Sequence, residues 1–224
     1  MDLKKLKRTA LLRFLTGPVV LGAIFFGTAG TIRYWEAWVF LPVVFVPMAL
    51  AVAYLIRRDP ELLRRRMESR EERAQQRAIQ MVGGVVWVGV FFIPGLDHRF
   101  GWSSVPALLV VAANFLVLGG YLIVLLTLKE NSYASRTIKV EEGQTVITTG
   151  LYALVRHPMY LGAGLMLLVT PLALGSYWAL APSAFMPLLL ALRIKDEEEA
   201  LMEELPGYRE YTRQTEHRLI PGVW

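Results

Sequence analysis

Apolar residues in this chain gather into four long runs, residues 14–32, 37–56, 79–96 and 105–128, separated by short basic blocks rather than mixed with polar positions. Each run approaches the roughly 20 residues that a helix needs to cross a hydrocarbon core. The pattern therefore predicts four transmembrane helices. A fifth apolar block, 159–194, is too long for one crossing and is punctuated by Pro171, Gly175, Pro182 and Pro187. Such residues interrupt helices, so the block reads as a helical hairpin, re-entrant or fully spanning. Its turn falls near 175–177, with Trp178 as an interfacial anchor.

The polar stretches differ in kind. Residues 57–80 open on Asp59-Pro60 and then mix Glu and Arg with strong helix formers over 61–77. This predicts a charged helix, either resting on lipid headgroups or simply solvated. Residues 129–155 carry turn signals at Glu142-Gly143 and Thr148-Thr149-Gly150 and exceed what a turn between membrane helices needs. Loops of that length are usually functional or disordered. At Arg193 an apolar helix runs without a breaker into Lys195, Asp196, Glu197, Glu198 and Glu199, and Pro206-Gly207 then ends it. The expected division is N-terminal spans over 1–128, including the basic connection at 57–80, and a C-terminal half over 129–224 that holds the chemistry.

Composition agrees: 54% of the 224 residues are hydrophobic and 19% are charged, the balance of an integral membrane protein. With the N-terminus in the cytoplasm, all of the 24 Lys and Arg except Arg33 and Arg99 lie on the cytoplasmic side. The positive-inside rule selects that orientation and puts both termini and any C-terminal site in the cytoplasm. Lys4, Lys5, Lys7 and Arg8 ahead of an apolar run imitate a signal peptide, but the run is span-length and lacks a small-residue cleavage pattern. It is expected to stay as the first span. The net charge of +5 does not imply nucleic acid, because the cations flank spans and attraction to anionic membrane lipids accounts for them. Cysteine is absent, which removes disulfides, thiolate nucleophiles and Cys-based zinc sites. His98, His157 and His217 are far apart in sequence, so no metal site is expected.

Candidate chemistry concentrates in three places. Pro158 suits the first turn of a helix, which leaves His157 near the cap and the free N–H groups of that turn able to bind an anion. Arg156, His157 and Tyr160 add a cation, a donor or acceptor, and a ring; an Arg-His-Pro sequence before a span equally suits a snorkelling interface anchor. Next, Arg193 and Glu197 share a helix face at i, i+4, and an arginine so near the membrane calls for a partner or a task. A solvated acidic helix with Arg193 marking the interface is the alternative. Finally, Tyr208, Tyr211 and Leu219-Ile220-Pro221 form an amphipathic element able to serve as a lid or a cap.

In this order the pieces resemble the isoprenylcysteine carboxyl methyltransferase family and its prokaryotic relatives, within a wider membrane methyltransferase group that includes phospholipid N-methyltransferases. The resemblance rests on Asn131-Ser132-Tyr133, Thr149-Gly150-Leu151-Tyr152, the seven residues from Arg156 to Gly162, Arg193-Ile194 with Glu197-Glu198, Tyr208, Tyr211, and Arg218-Leu219-Ile220-Pro221. It covers about residues 129–224, and the N-terminal spans match only in kind; with the hydropathy pattern, the expected fold is an all-α integral membrane protein with four transmembrane helices, a C-terminal helical hairpin, and a cytoplasmic C-terminal helix and cofactor region. S-adenosylmethionine would bind at the cytoplasmic face, and a lipophilic or prenylated substrate would arrive from the membrane lipids. The resemblance places His157, Tyr160, Leu161 and Glu198 with the cofactor, adds Tyr208 and Tyr211 as its lid, and gives Arg193 the substrate's reacting group with Glu197 orienting it. One departure is that Pro206-Gly207 runs straight into Tyr208, where the family commonly has Phe-Gly and two intervening residues. Sterol reductases of the membrane share a similar C-terminal half, with His-Pro-Asn-Tyr and a nearby acidic residue; Met159 and Ala163 stand at those two places here. A nicotinamide-dependent reductase and a non-enzymatic transporter or scaffold remain the other readings, although no charge falls in the middle of the first four runs.

Overall fold

The computed structural model describes residues 3–67, 74–134, 140 and 143–224. Among the described residues, four helices carry segments long and apolar enough to cross a membrane: α1 (Leu3–Ala29), α2 (Trp35–Arg58), α4 (Ala74–Phe100) and α5 (Ala107–Glu130). They correspond to the four apolar runs: α2 and α4 extend theirs at both ends, α1 begins eleven residues earlier and ends three earlier than its run, and α5 is shifted by two residues. Many of their large apolar side chains face outward; Leu108 is 82% exposed. So much outward apolar surface suits lipid and not water.

Between α2 and α4 lies the short α3 (Pro60–Met67), started by Pro60 and capped by Asp59, whose Oδ1 accepts from the Leu62 N–H at 2.9 Å. Its apolar face, Leu62 and Leu63, is buried with Leu6, Leu55 and Leu128. The helix expected over 61–77 is thus described on both sides of residues 68–73, which lie outside the described residues. In the 129–155 stretch, α5 reaches Glu130 and a 3-10 turn forms over Gly150–Ala153. The turn signal at Glu142-Gly143 falls partly on residues outside the described ones.

The fifth apolar block folds as α6 (Pro158–Ala173), the one-turn α7 (Leu180–Ser183) and α8 (Met186–Glu204). The chain reverses at Gly175, whose φ of 73° lies in the left-handed region. Trp178, the expected anchor, is exposed and meets Trp102 edge to face at 6.5 Å. The reversal is fastened by polar groups: Asp97 at the end of α4 accepts from Ser103 N–H and from the hydroxyls of Ser103 and Ser176, and Tyr34 donates to the Leu174 carbonyl. Helix α8 ends at Glu204, and Gly207, at φ 85°, starts α9 (Tyr208–Gln214). Helices α5 and α6 approach most intimately at Gly120 and Gly162, where a Cβ on Gly162 would lie 2.6 Å from the Gly120 carbonyl oxygen. That approach sets the position of the first turn of α6, which carries His157 and Tyr160.

Candidate functional site

His157 is the N-cap of α6 and Pro158 occupies its first turn, as the Arg-His-Pro order predicts. The residues before it are held by the C-terminal tail. Arg156 N–H donates to the His217 carbonyl and His157 N–H to the Arg218 carbonyl, both at 2.9 Å. Beneath them lies Glu198 of α8, almost fully buried. Its Oε1 accepts from Arg156 Nε at 2.6 Å and lies 3.3 Å from His157 Nε2, while its Oε2 accepts from Arg218 Nε at 2.6 Å. Arg156 also donates Nη1 to the carbonyls of Thr215 and Glu216. Burial pushes the Glu198 carboxyl pKa up, but the bonds from His157, Arg156 and Arg218 outweigh it and hold it at about 2. Glu198 therefore ties α8, the α6 cap and the tail together.

A polar cavity, open to solvent, lies in front of this clasp. His157, Tyr160, Arg193, Glu197, Tyr208 and Tyr211 all line it, so six of the eight residues singled out from sequence meet at one place. Leu161 and Glu198 are absent from its wall. Further parts of the wall come from Asn131 and Tyr133 after α5, from Gln144, Thr145, Val146 and Ile147, and from Tyr152. The length of the 129–155 stretch was the signal for this contribution, but nothing in its sequence singled out residues 144–147. Tyr211 donates to the Tyr152 carbonyl at 2.7 Å, and Asn131 donates to the Tyr152 hydroxyl at 2.8 Å. Burial, the largest influence, raises the Tyr152 pKa to about 12, so its phenol stays protonated at neutral pH. Tyr208 differs: its hydroxyl is buried in the cavity wall with no hydrogen-bond partner among the described residues. An unpaired buried hydroxyl is costly and marks a place where a bound polar group fits.

A second, larger cavity runs among α2, α4, α5 and α6 and is lined mainly by apolar side chains such as Phe40, Phe45, Trp87, Phe91, Val117 and Leu167. At its polar end stand Arg66, Gln80 and Arg193. Met159, Tyr160 and Arg193 line both cavities and form the wall between them. Within that wall the Tyr160 hydroxyl accepts from Arg193 Nε at 2.8 Å and donates to Glu197 Oε2. The tyrosine thus stands between the two residues that share a face of α8. Behind them, Arg193 Nη1 donates to Gln76 Oε1 at 2.8 Å, and Gln76 Nε2 donates to Asp196 Oδ2. Neither Gln76 nor Asp196 was picked out from sequence: a glutamine at the start of a span and one acid in a run of four have no distinguishing context until the fold joins them.

Known proteins give two likenesses. The delta(14)-sterol reductase TM7SF2 of Mus musculus is 31% identical over 91 residues, which are 39% of this chain and 22% of that protein. The chain thus spans about a fifth of the length of the curated relative that it matches. Residues 108–203 match the model of the isoprenylcysteine carboxyl methyltransferase family, the family that the ordered sequence motifs resemble.

Proposed function

We propose that this chain is a membrane methyltransferase that uses S-adenosylmethionine to methylate the carboxylate of a lipophilic or prenylated acceptor. Residues 129–224 form its catalytic half and the site faces the cytoplasm. The observation that carries this reading is the shared wall: a polar cavity and an apolar cavity of lipid character meet at Met159, Tyr160 and Arg193. On this reading α6 and α8 form a hairpin in the bilayer, and α2, α4 and α5 complete the acceptor's chamber.

The residues present suit S-adenosylmethionine. The polar cavity offers the unpartnered Tyr208 hydroxyl, the rings of Tyr152, Tyr160 and Tyr211, and the Glu197 carboxyl. Bound there, the cofactor supplies a methyl group on a positively charged sulfur. The protein's task is then positioning and exclusion of water. An acceptor carboxylate is already ionised at neutral pH and needs no general base. Arg193 would hold its two oxygens with a planar guanidinium fork, while Tyr160 and Glu197 fix the direction of that fork. His157, Glu198 and Arg156 would hold the rim of the cofactor cavity, with Glu198 acting through the other two. An amine acceptor, as in phospholipid N-methylation, would instead need Glu197 to take a proton.

The reductase likeness supports a second reading, in which a nicotinamide cofactor occupies the polar cavity. Titrating the purified chain in detergent with S-adenosylmethionine and with NADPH by calorimetry separates the two: the first should bind, and binding of NADPH alone would sink the methyltransferase reading. Methyl transfer to S-farnesylcysteine should then give a product that releases methanol in alkali, as an ester does and an N-methyl group does not. Arg193→Ala should abolish that transfer and leave cofactor affinity within about fivefold, since the guanidinium serves the acceptor.

A further inference from the structure

Gln76 lies in the first turn of α4, outside the family-matched segment 108–203, and is fully buried. A primary amide buried without bonds is costly. Here both ends are used, and chemistry dictates which way the amide faces: a guanidinium can only donate and a carboxylate can only accept. The oxygen must therefore face Arg193 and the nitrogen Asp196, the arrangement observed. Asp196 is itself buried, one helical step short of Glu197. Its charge reaches Arg193 through the intervening amide, in a chain whose members polarise one another. Tyr160 fixes the guanidinium at Nε and Gln76 fixes it at Nη1. Two bonds to different nitrogens of a planar group determine both its position and its tilt.

We infer that Gln76 is a positioning residue of the active site: with Asp196 behind it, it sets the plane in which Arg193 presents its guanidinium to the acceptor's anionic group. The inference rests on the methyltransferase reading for its kinetic consequence but not for its geometry. It also gives the N-terminal spans a part in the chemistry, because α4 reaches the site through this side chain.

The test uses the full chain in detergent micelles and three variants. Gln76→Glu keeps shape and volume but sets a carboxyl against Asp196. Adding Asp196→Asn restores the pattern with donor and acceptor exchanged, and Gln76→Met removes both bonds while filling the space. With S-farnesylcysteine as acceptor probe, Gln76→Glu and Gln76→Met should each lower kcat/KM for the acceptor by about tenfold or more, as loss of a bond to a charged group does. Affinity for S-adenosylmethionine should change less than about threefold, since Gln76 does not line its cavity. The Gln76→Glu, Asp196→Asn double variant should recover most of the loss. A residue that only filled space would tolerate Gln76→Met, and Asp196→Asn would not depend on it for rescue. A second readout does not depend on methyl transfer: the Arg193 Nε–H resonance, assigned by its loss in Arg193→Lys, should shift and exchange faster in Gln76→Met and return in the double variant. An Arg193 resonance unchanged in Gln76→Met, or a double variant no better than Gln76→Glu, would overturn the inference. A wild-type chain that transfers no methyl group while the resonance behaves as expected would instead overturn the methyltransferase reading alone.

Discussion

Two side chains at the polar cavity make opposite demands on the fold. Glu198 stabilises it: its pKa falls from 4.5 to about 2 through three donors, so the folded state holds the carboxylate more tightly than the unfolded chain does. That stabilisation is complete above about pH 4.5 and is lost as the pH falls toward 2. Glu198→Gln should lower unfolding stability by about 3 kcal/mol at neutral pH, because Arg156 is left buried without its counter-charge. In thermal melts in detergent, the gap between wild type and variant should narrow from pH 5 to pH 3; a constant gap would mean that the clasp is not ionic. Tyr208 is the reverse case, since its hydroxyl is buried without a partner among the described residues. Tyr208→Phe should leave the melting temperature of the ligand-free chain unchanged or higher, yet weaken S-adenosylmethionine binding by about fivefold or more, the value of one hydrogen bond. Equal affinity in calorimetry would show that the hydroxyl meets some other group.

Among the helices, the pair α5 and α6 determines whether the cap of α6 reaches α8. Gly162 and Gly120 let the two backbones touch, and a Cβ on Gly120 would come within 2.7 Å of the Gly162 carbonyl oxygen. Close packing of small residues is a main source of helix association in a bilayer. Gly162→Ala should force the helices apart, costing about 1–3 kcal/mol and moving Tyr160 away from Arg193. Both the melting temperature and S-adenosylmethionine affinity should fall, whereas a change in stability alone would show that α6 yields without moving its cap. The helices themselves were legible in the sequence because hydropathy and proline act locally: the four apolar runs, the break near Gly175 and the stop at Pro206-Gly207 each reappear. The site was legible where the motif order pointed, as at His157, Tyr160 and Arg193. What escaped were groups defined by distant partners. Gln76 meets Arg193 across 117 positions, and Asp97 meets Ser176 across 79; no local pattern encodes such pairs. Arg156 looked like a cation offered to a ligand, but its charge is committed to Glu198 and two carbonyls of the tail.

Across the whole molecule, polar groups are collected at the two ends of α4 and the apolar chamber lies between them. At one end Gln76 joins Arg193, and at the other Asp97, fully buried, accepts from Ser103 and Ser176. At 1.5 Å per residue the two lie about 30 Å apart along the helix, roughly the thickness of a hydrocarbon core. The far cluster fixes the α4–α5 connection to the reversal after α6, and its residues line neither cavity. Stability and catalysis should therefore separate between the ends. Asp97→Ala leaves two serine hydroxyls and one backbone N–H without their acceptor, which should cost about 2 kcal/mol or more of unfolding stability. Sites this distant and sharing no partners are expected to act independently. Below its own melting transition the variant should then bind S-adenosylmethionine within about twofold of wild type and keep the same acceptor KM. A raised acceptor KM with unchanged cofactor affinity would mean instead that the Asp97 cluster shapes the apolar chamber from a distance, making the α4 terminus part of acceptor selection.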